Sequence, residues 1–331
     1  IIARNVEATI KSCIESFIDH VDQCVVVLAG ESQDKTESIL YKLRKKYKGK
    51  LELYPFCWID DFAAARNFSF SKLKTDFLLW VDADDYVKGA ENIPILANQM
   101  PQEVGGIWFR YDYAHDEFKN ITTVYERERM LRASYGWIWR SRLHETVSPL
   151  KECRYVRSSD VVIVHNHLAG ASRSERNFRI LFKMLEESPE DKRVWLYLGH
   201  QYFADQQWMN SAEWYLKFGT EKDALPLERF QALCYASKAL REMGDPQCIE
   251  VANMAVSLYP EFKDGYLELA HSCLRANDLD KAIHYAKLSE VKELIKEPPT
   301  IIFVNPLEYS FNRMALLSEC YLKKGDLQTA V

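Results

Sequence analysis

An apolar run, Phe77-Leu78-Leu79-Trp80-Val81, stops abruptly on Asp82-Ala83-Asp84-Asp85. Three carboxylates within four residues repel one another and push up the pKa of at least one of them. A hard divalent cation relieves that repulsion, and oxygen ligands suit Mg2+ or Mn2+. The plainer reading of the same residues is a surface turn capping the next helix; their place at the end of an apolar strand favours the cation. A second concentration of charge runs from Glu126 to Arg179, with ten Arg and one Lys against six acidic residues, and with Tyr135, Trp137, Trp139 and Tyr155 interleaved. Basic residues among stacking aromatics can track a nucleic-acid backbone. They equally suit a departing diphosphate, or simple pairing with the acids nearby.

The elements that must position these groups change period along the chain. In the first half, Cys24-Val25-Val26-Val27-Leu28 reads as a strand buried on both faces. Ile10, Cys13, Ile14 and Phe17 before it fall at helical spacing, and Asp34 stands where it could cap a helix from 35 to 47. Leu51 to Tyr54 alternates as a third strand, 77–81 as a fourth, and 161–164 as the last. Strands interleaved with short helices predict an α/β domain over 1–170 with a mostly parallel, Rossmann-like sheet, whose ligands gather at the carboxyl ends of the strands. From about residue 171 the pattern turns helical and repeats. Trp195-x2-Leu198-Gly199-x2-Tyr202 matches the opening of a tetratricopeptide repeat, and looser copies follow around Ala236, Gly244 and Pro260, at Tyr266 to Cys273, and at Met314 to Tyr321. An insert with Pro298-Pro299 and Ile301 to Val304 breaks the spacing before the last copy. The second domain is therefore expected over 171–331 as an all-α repeat array, each helix pair burying its face against the next; a generic helical bundle is the alternative.

Composition narrows the function classes. The 331 residues carry 43 Lys plus Arg against 48 Asp plus Glu, a net charge of −5, which disfavours a protein that coats nucleic acid through overall basic charge. No apolar run reaches the roughly 18–20 residues needed to cross a bilayer, and no signal peptide is visible, although the chain opens at Ile1 without Met. Eight scattered cysteines lack CxxC pairs or zinc spacing and read as reduced thiols, which points to a cytoplasmic protein.

Five segments occur in order: Ile1 through Glu7, Val25-Val26-Val27, Gly30 through Thr36, Trp58 through Asn67, and Trp80 through Asp85. Together they resemble the nucleotide-sugar half of family 2 inverting glycosyltransferases with the GT-A fold, over about residues 1–150. The layout with trailing repeats is similar to that of bacterial peptide-modifying enzymes of the sublancin S-glycosyltransferase type. The resemblance implies a nucleotide-sugar donor, with UDP as the expected nucleotide. It places Ala3, Arg4, Asn5 and Glu7 along the nucleotide pocket, Asp61 and Ala83 at the donor site, and Asp82 towards the ribose. Asp84 would hold Mn2+ or Mg2+ across the diphosphate, and Arg66 would meet the base or diphosphate with its fork of donors; a surface ion pair with Asp60 or Asp61 is the alternative for Arg66.

Two departures stand out. The family's acidic residue at the end of the second strand is replaced by Leu28, leaving Glu31 to substitute, and no Glu-Asp pair closes the catalytic domain, since Glu190-Asp191 lies in the helical half. The base is expected instead at Glu145, in Arg142-Leu143-His144-Glu145 behind the aromatic loop 135–139, unless Glu145 merely pairs with Arg140 or Arg142. A strand-end histidine, His165 in preference to His167, is expected as a further metal ligand. The expected activity is metal-dependent, inverting hexosyl transfer to a peptide, protein or glycan acceptor, with the repeats offering a concave surface for acceptor or for a homodimer. The rivals are transfer to modified nucleic-acid bases, a non-catalytic binding module on a degenerate transferase domain, and a nucleotidyltransferase. The last would want a glycine-rich phosphate loop near the first strand, and 3–7 contains no glycine.

Overall fold

A computed structural model describes residues 1–166, 174–290 and 311–330. The chain divides into two compact units, Ile1–Ser172 and Arg173–Val331. In the first, β1 (Ile2–Ala3), β2 (Cys24–Ala29) and β3 (Leu51–Phe56) form a parallel sheet in that order. They alternate with α1 (Ile10–Glu15), α2 (Thr36–Lys46) and α3 (Phe62–Phe70). The β-branched run of β2 is buried almost throughout, as a strand covered on both faces must be. The apolar stripe of α1, Ile10, Cys13 and Ile14, packs into the same core.

The rest of the unit is built from β4 (Phe77–Leu79), β5 (Asp85–Lys88), α4 (Ile93–Gln99), β6 (Val104–His115), β7 (Ile121–Arg132), β8 (Trp137–Arg140), β9 (Thr146–Pro149) and β10 (Arg154–His165). Five of these strands form a second sheet in the order β4-β7-β6-β10-β5. Only β6 and β10 run parallel within it, because β6 and β7 are a hairpin and β4 and β5 join antiparallel at the edges. The α/β class and Rossmann-like opening stand as read from sequence. The refinement is that parallel pairing is concentrated in β1–β3, and the second sheet is mixed.

The β6–β7 hairpin has no counterpart in the sequence reading, and its register explains why. Ile107 pairs with Met130 but Trp108 pairs with Glu128, so Arg129 is an extra residue in a β-bulge. One added residue reverses which face every later side chain takes. Arg127 and Tyr125 therefore share a face with Met130, Phe109 and Tyr111, although strict alternation would place them on the other side. A second bulge at Tyr113, between the pairs Asp112–Val124 and Ala114–Thr123, re-aims that ring as well.

The second unit runs α5 (Ser174–Glu187), α6 (Lys192–Ala204), α7 (Trp208–Gly219), α8 (Pro226–Met243), α9 (Gln247–Leu258), α10 (Lys263–Arg275), α11 (Leu279–Leu288) and α12 (Arg313–Lys324). Pairs α6–α7, α8–α9 and α10–α11 follow the repeat copies. Gly199, Ala236 and Ala270 hold the same repeat position, the two alanines fully buried. A Cβ at Gly199 would lie 2.7 Å from the Tyr215 ring, which is why the repeat needs its glycine there. Asp191 caps α6 by accepting from the Arg193 N–H at 3.0 Å, so it is a helix start and not an acceptor-site carboxylate. The 298–304 insert lies outside the described residues. Among the described residues no helix is long and apolar enough to cross a membrane.

Gly89 adopts φ +73°, and a Cβ there would stand 2.0 Å from the Asp160 carbonyl oxygen across the β5–β10 edge. Gly89→Ala is expected to destabilise the first unit by about 2 kcal/mol or more, read by urea denaturation. In α10, burial together with Arg241 and Lys238 pushes the His271 imidazole down to about 4. A histidine depressed in the folded state contributes stability above its ordinary pKa, lost as pH falls from about 6.5 towards 4. The thermal midpoint should drop between pH 7 and pH 5, and by less in His271→Gln.

Candidate functional site

The loop after β4 folds back on itself. The Asp85 N–H donates to the Asp82 carbonyl at 3.0 Å, and the Asp82 N–H donates to Asp85 Oδ2 at 3.1 Å. The Cys13 thiol on α1 donates to the same Asp82 carbonyl at 3.2 Å. This closed turn sends the Asp85 carboxylate inward, where it is fully buried. Its Oδ1 accepts from the Tyr111 hydroxyl at 2.8 Å and faces His165 Nδ1 at 3.1 Å, while Oδ2 meets Arg129 Nη1 at 3.3 Å. Asp84 is also buried, with Oδ1 3.7 Å from His165 Nδ1, and its carbonyl accepts from the Asn166 N–H at 2.8 Å. The bulged Tyr113 stacks on the His165 ring at 5.2 Å.

Asp84, Asp85 and His165 thus bring three potential ligand atoms within 4.8 Å of one another. The two carboxylates suit a hard divalent cation such as Mg2+ or Mn2+, and the imidazole nitrogen is a borderline ligand beside them. Asp85 is already in contact with four protein groups, His165 Nδ1 among them, so Asp84 and the other imidazole nitrogen, Nε2, are best able to bind a cation, with Asp85 orienting the ring. Burial pushes the His165 imidazole down, but the hydrogen bond to Asp85 and the charges of Asp84, Asp85 and Asp82 outweigh it and raise the pKa. Burial and the Asp82 charge raise Asp85 against the pull of Arg129.

Arg66 occupies the centre of the next layer. Its guanidinium lies 4.9 Å from the Trp80 ring and 4.7 Å from the Trp139 ring, donating from Nη2 to Asp82 Oδ1 at 2.6 Å and from Nε to Glu145 Oε1 at 2.5 Å. The sequence alternatives for these residues are not what forms. Arg66 is buried away from Asp60 and Asp61, and Glu145 takes Arg66 and not Arg140 or Arg142. Burial pushes the Asp82 carboxyl up, and the charges of Arg66 and Arg129 reverse this to hold it well below the usual carboxylate range. Asn67 pins β8 to α3 by exchanging hydrogen bonds with the Trp139 backbone at 2.9 Å each way. Ser141 and His144 both take positive φ on the way to Glu145, a local strain that surrounding contacts must hold.

The remaining sequence candidates, apart from Ala83 in the turn after β4, fall at the ends of β1 and β2 and at the start of α3. Ala3 is buried at the end of β1, and Ala83 is buried in the turn. Asn5, at φ +53°, accepts from the Gln33 N–H at 2.7 Å, and Glu7 accepts from the Lys35 N–H at 2.8 Å, stitching the β1 loop to the β2 loop. Arg4 and Glu31 are exposed on these loops. Asp61 caps α3 by accepting from the Ala64 N–H at 2.8 Å and pairs with Arg142 at 3.6 Å. His167 lies outside the described residues. A cavity of about 740 Å³ opens elsewhere, at the amino-terminal ends of β2 and β4, and touches Arg66 and Trp80 but not Asp84, His165 or Glu145.

Sequence reasoning missed Arg129, Tyr111 and Tyr113. The only available signal was the alternation of Arg127 and Arg129 with acids, read as one basic stretch. Several of its arginines pair with nearby acids, as Arg154 does with Glu103 and Arg157 with Glu126. Arg129 instead is fully buried, its guanidinium 3.7 Å from the Trp80 ring and 4.3 Å from the Tyr111 ring, with Nε and Nη2 lacking hydrogen-bond partners.

Residues 1–174 match the family described as Glycosyl transferase family 2. No curated protein matches the chain. Among solved structures, a crystal structure of MamA is 18% identical, covering 47% of this chain and 82% of that one, with a TM-score of 0.37. MamA from Desulfovibrio magneticus RS-1 is 14% identical over 47% of this chain and 79% of its own, with a TM-score of 0.38. TTC0263, a thermophilic TPR protein of Thermus thermophilus, is 16% identical over 48% of this chain and 78% of its own, with a TM-score of 0.34.

Removing one partner of a buried ion pair leaves an uncompensated charge and costs about 3–5 kcal/mol. Arg129→Met is expected to fall in that range by urea denaturation, and Arg129→Met with Asp85→Asn to recover a substantial part of the loss.

Proposed function

The chain belongs to glycosyl transferase family 2, and we propose that it moves a sugar from a UDP-linked donor, with inversion, to a nucleophilic peptide, protein or glycan acceptor. The observation that carries this reading is the adjacency of the Asp84–His165 ligand pair to the Arg66 bridge between Asp82 and Glu145. Asp84 and His165 would hold Mn2+ or Mg2+, which when bound supplies charge stabilisation for the departing diphosphate. Asp82 is the carboxylate of the turn most open to solvent, with 30% of its side chain exposed, and is the natural contact for the donor ribose. Glu145 serves as general base: Arg66 fixes one carboxylate oxygen, and the other takes the proton of the acceptor nucleophile as the new glycosidic bond forms. Arg4, Asn5, Glu7 and Glu31, on loops joined by hydrogen bonds from backbone N–H groups to the Asn5 and Glu7 side chains, supply the nucleotide side of the pocket together with Asp61. The eight free cysteines fit a reducing, cytoplasmic setting. We assign the repeats to acceptor or self-association, as such stacked helix pairs offer extended surfaces.

A thermal-shift panel of UDP-, GDP-, CMP- and TDP-sugars, with and without Mn2+, tests the assignment. Ligand at a hundred times its Kd adds about 2.7 kcal/mol of stability. The UDP-sugar should raise the midpoint only with Mn2+, and Asp84→Ala should abolish the shift. No shift with any nucleotide would sink the transferase reading; a shift with another nucleotide would overturn the UDP assignment alone.

A further inference from the structure

Three guanidinium groups converge on the Trp80 indole, with Arg129 at 3.7 Å, Arg66 at 4.9 Å and Arg127 at 5.0 Å from the ring. Two of them are engaged by carboxylates of the site: Arg66 by Asp82 and Glu145, and Arg129 by Asp85. Arg127 differs. Among the described residues its sole ion pair is a 3.3 Å contact from Nη2 to Glu128, the next residue along β7, and its Nε and Nη1 have no hydrogen-bond partner there. About a quarter of its side chain, 24%, is open to solvent, whereas Arg129 is sealed and Arg66 nearly so. The site therefore contains an accessible cation whose fork of donors is mostly unused, held in place by an aromatic face.

Its position follows from the bulge. Because Arg129 is the extra residue, Arg127 pairs with Phe109 and shares the face that carries Tyr111, Asp85 and His165. Arg66, stacked on the same Trp80 ring as Arg127, donates to Glu145 Oε1 at 2.5 Å, which sets the Glu145 carboxylate in the same layer around that indole. In an inverting displacement the base and the leaving group act on opposite faces of the anomeric carbon. Arg66, on the same indole, already engages both the base and Asp82, so the unengaged donors of Arg127 are the ones left for the acceptor.

We propose that Arg127 is an acceptor-recognition residue that binds an oxyanion, a carboxylate or a phosphate ester, on the acceptor of this transferase. The assignment rests on the transferase reading above and deepens it: the acceptor is anionic close to its nucleophile. The planar fork accepts either oxyanion bidentately, which a lysine ammonium cannot reproduce.

Calorimetric titration of wild type, Arg127→Gln and Arg127→Lys tests it, with acetate standing for a carboxylate and sulfate for a phosphate ester. Each is titrated into protein saturated with UDP and Mn2+, so that the donor diphosphate subsite is already filled, and into protein with Mn2+ alone. Wild type should bind at least one of the two anions in the presence of UDP. Arg127→Gln should weaken that anion by about tenfold or more, a loss of one bidentate contact, with UDP affinity unchanged. Arg127→Lys should recover part of the affinity, which also guards against a folding defect in the glutamine variant. Equal anion binding in wild type and Arg127→Gln overturns the proposal, as does failure of wild type to bind either anion. A tenfold loss of UDP affinity in Arg127→Gln overturns it in another way, by placing Arg127 on the donor diphosphate. If none of UDP, GDP, CMP and TDP binds wild type but Arg127-dependent anion binding persists with Mn2+ alone, the anion site stands and the transferase reading falls.

Discussion

The buried carboxylate of Asp85 is the constraint around which the catalytic unit is arranged. A carboxylate removed from water must have every oxygen satisfied and its charge compensated, or it destabilises the fold. Here a backbone N–H, a tyrosine hydroxyl, an imidazole and a guanidinium converge on it from four separate places in the chain. Meeting that demand fixes the turn 82–85, the edge pairing of β5 with β10, the bulge in β7 and the orientation of His165. The partly exposed Asp82 and the buried Asp84–His165 pair beside it are positioned as a by-product of the demands of Asp85.

The Arg66 layer works on a similar principle with a different outcome. Its guanidinium lies against two indoles and joins a carboxylate from the β4 turn to one from the loop after β8. The two carboxylates are 63 residues apart in sequence but bound to one planar cation. Movement of either loop must therefore be felt by the other, which makes Arg66 the rigid element between the two sides of the proposed reaction.

How much of this could be read from the sequence depends on whether the signal was local. The β2 run, the break after Val81 and the Trp195 to Tyr202 repeat signature each lie within a few residues, and each led to the right element. The long β6–β7 hairpin did not, because bulges at Tyr113 and Arg129 break the period-two pattern on which strand recognition rests. Partner choice was equally hidden: Arg66 had acids nearby at Asp60 and Asp61, yet its partners are Asp82 and Glu145. Adjacency in sequence is a poor guide to pairing where a helix carries the cation inward and away from its neighbours. Asp85 was visible as one of three acids, but nothing local distinguished the one that turns into the core.

The pairing of His165 with Asp85 spans 80 residues, and it joins the last strand of the first unit to an edge formed much earlier. Contacts of such long sequence separation form late, because loop-closure entropy opposes them until intervening structure is in place. The parallel sheet β1–β3 can assemble from its own nearby segments, and the hairpin from one turn. The carboxylate–imidazole cluster cannot exist until β10 docks. A chain emerging from the ribosome therefore cannot assemble the Asp84–Asp85–His165 cluster until the whole unit has been synthesised, so that the proposed uptake of a cation would be coupled to completion of folding.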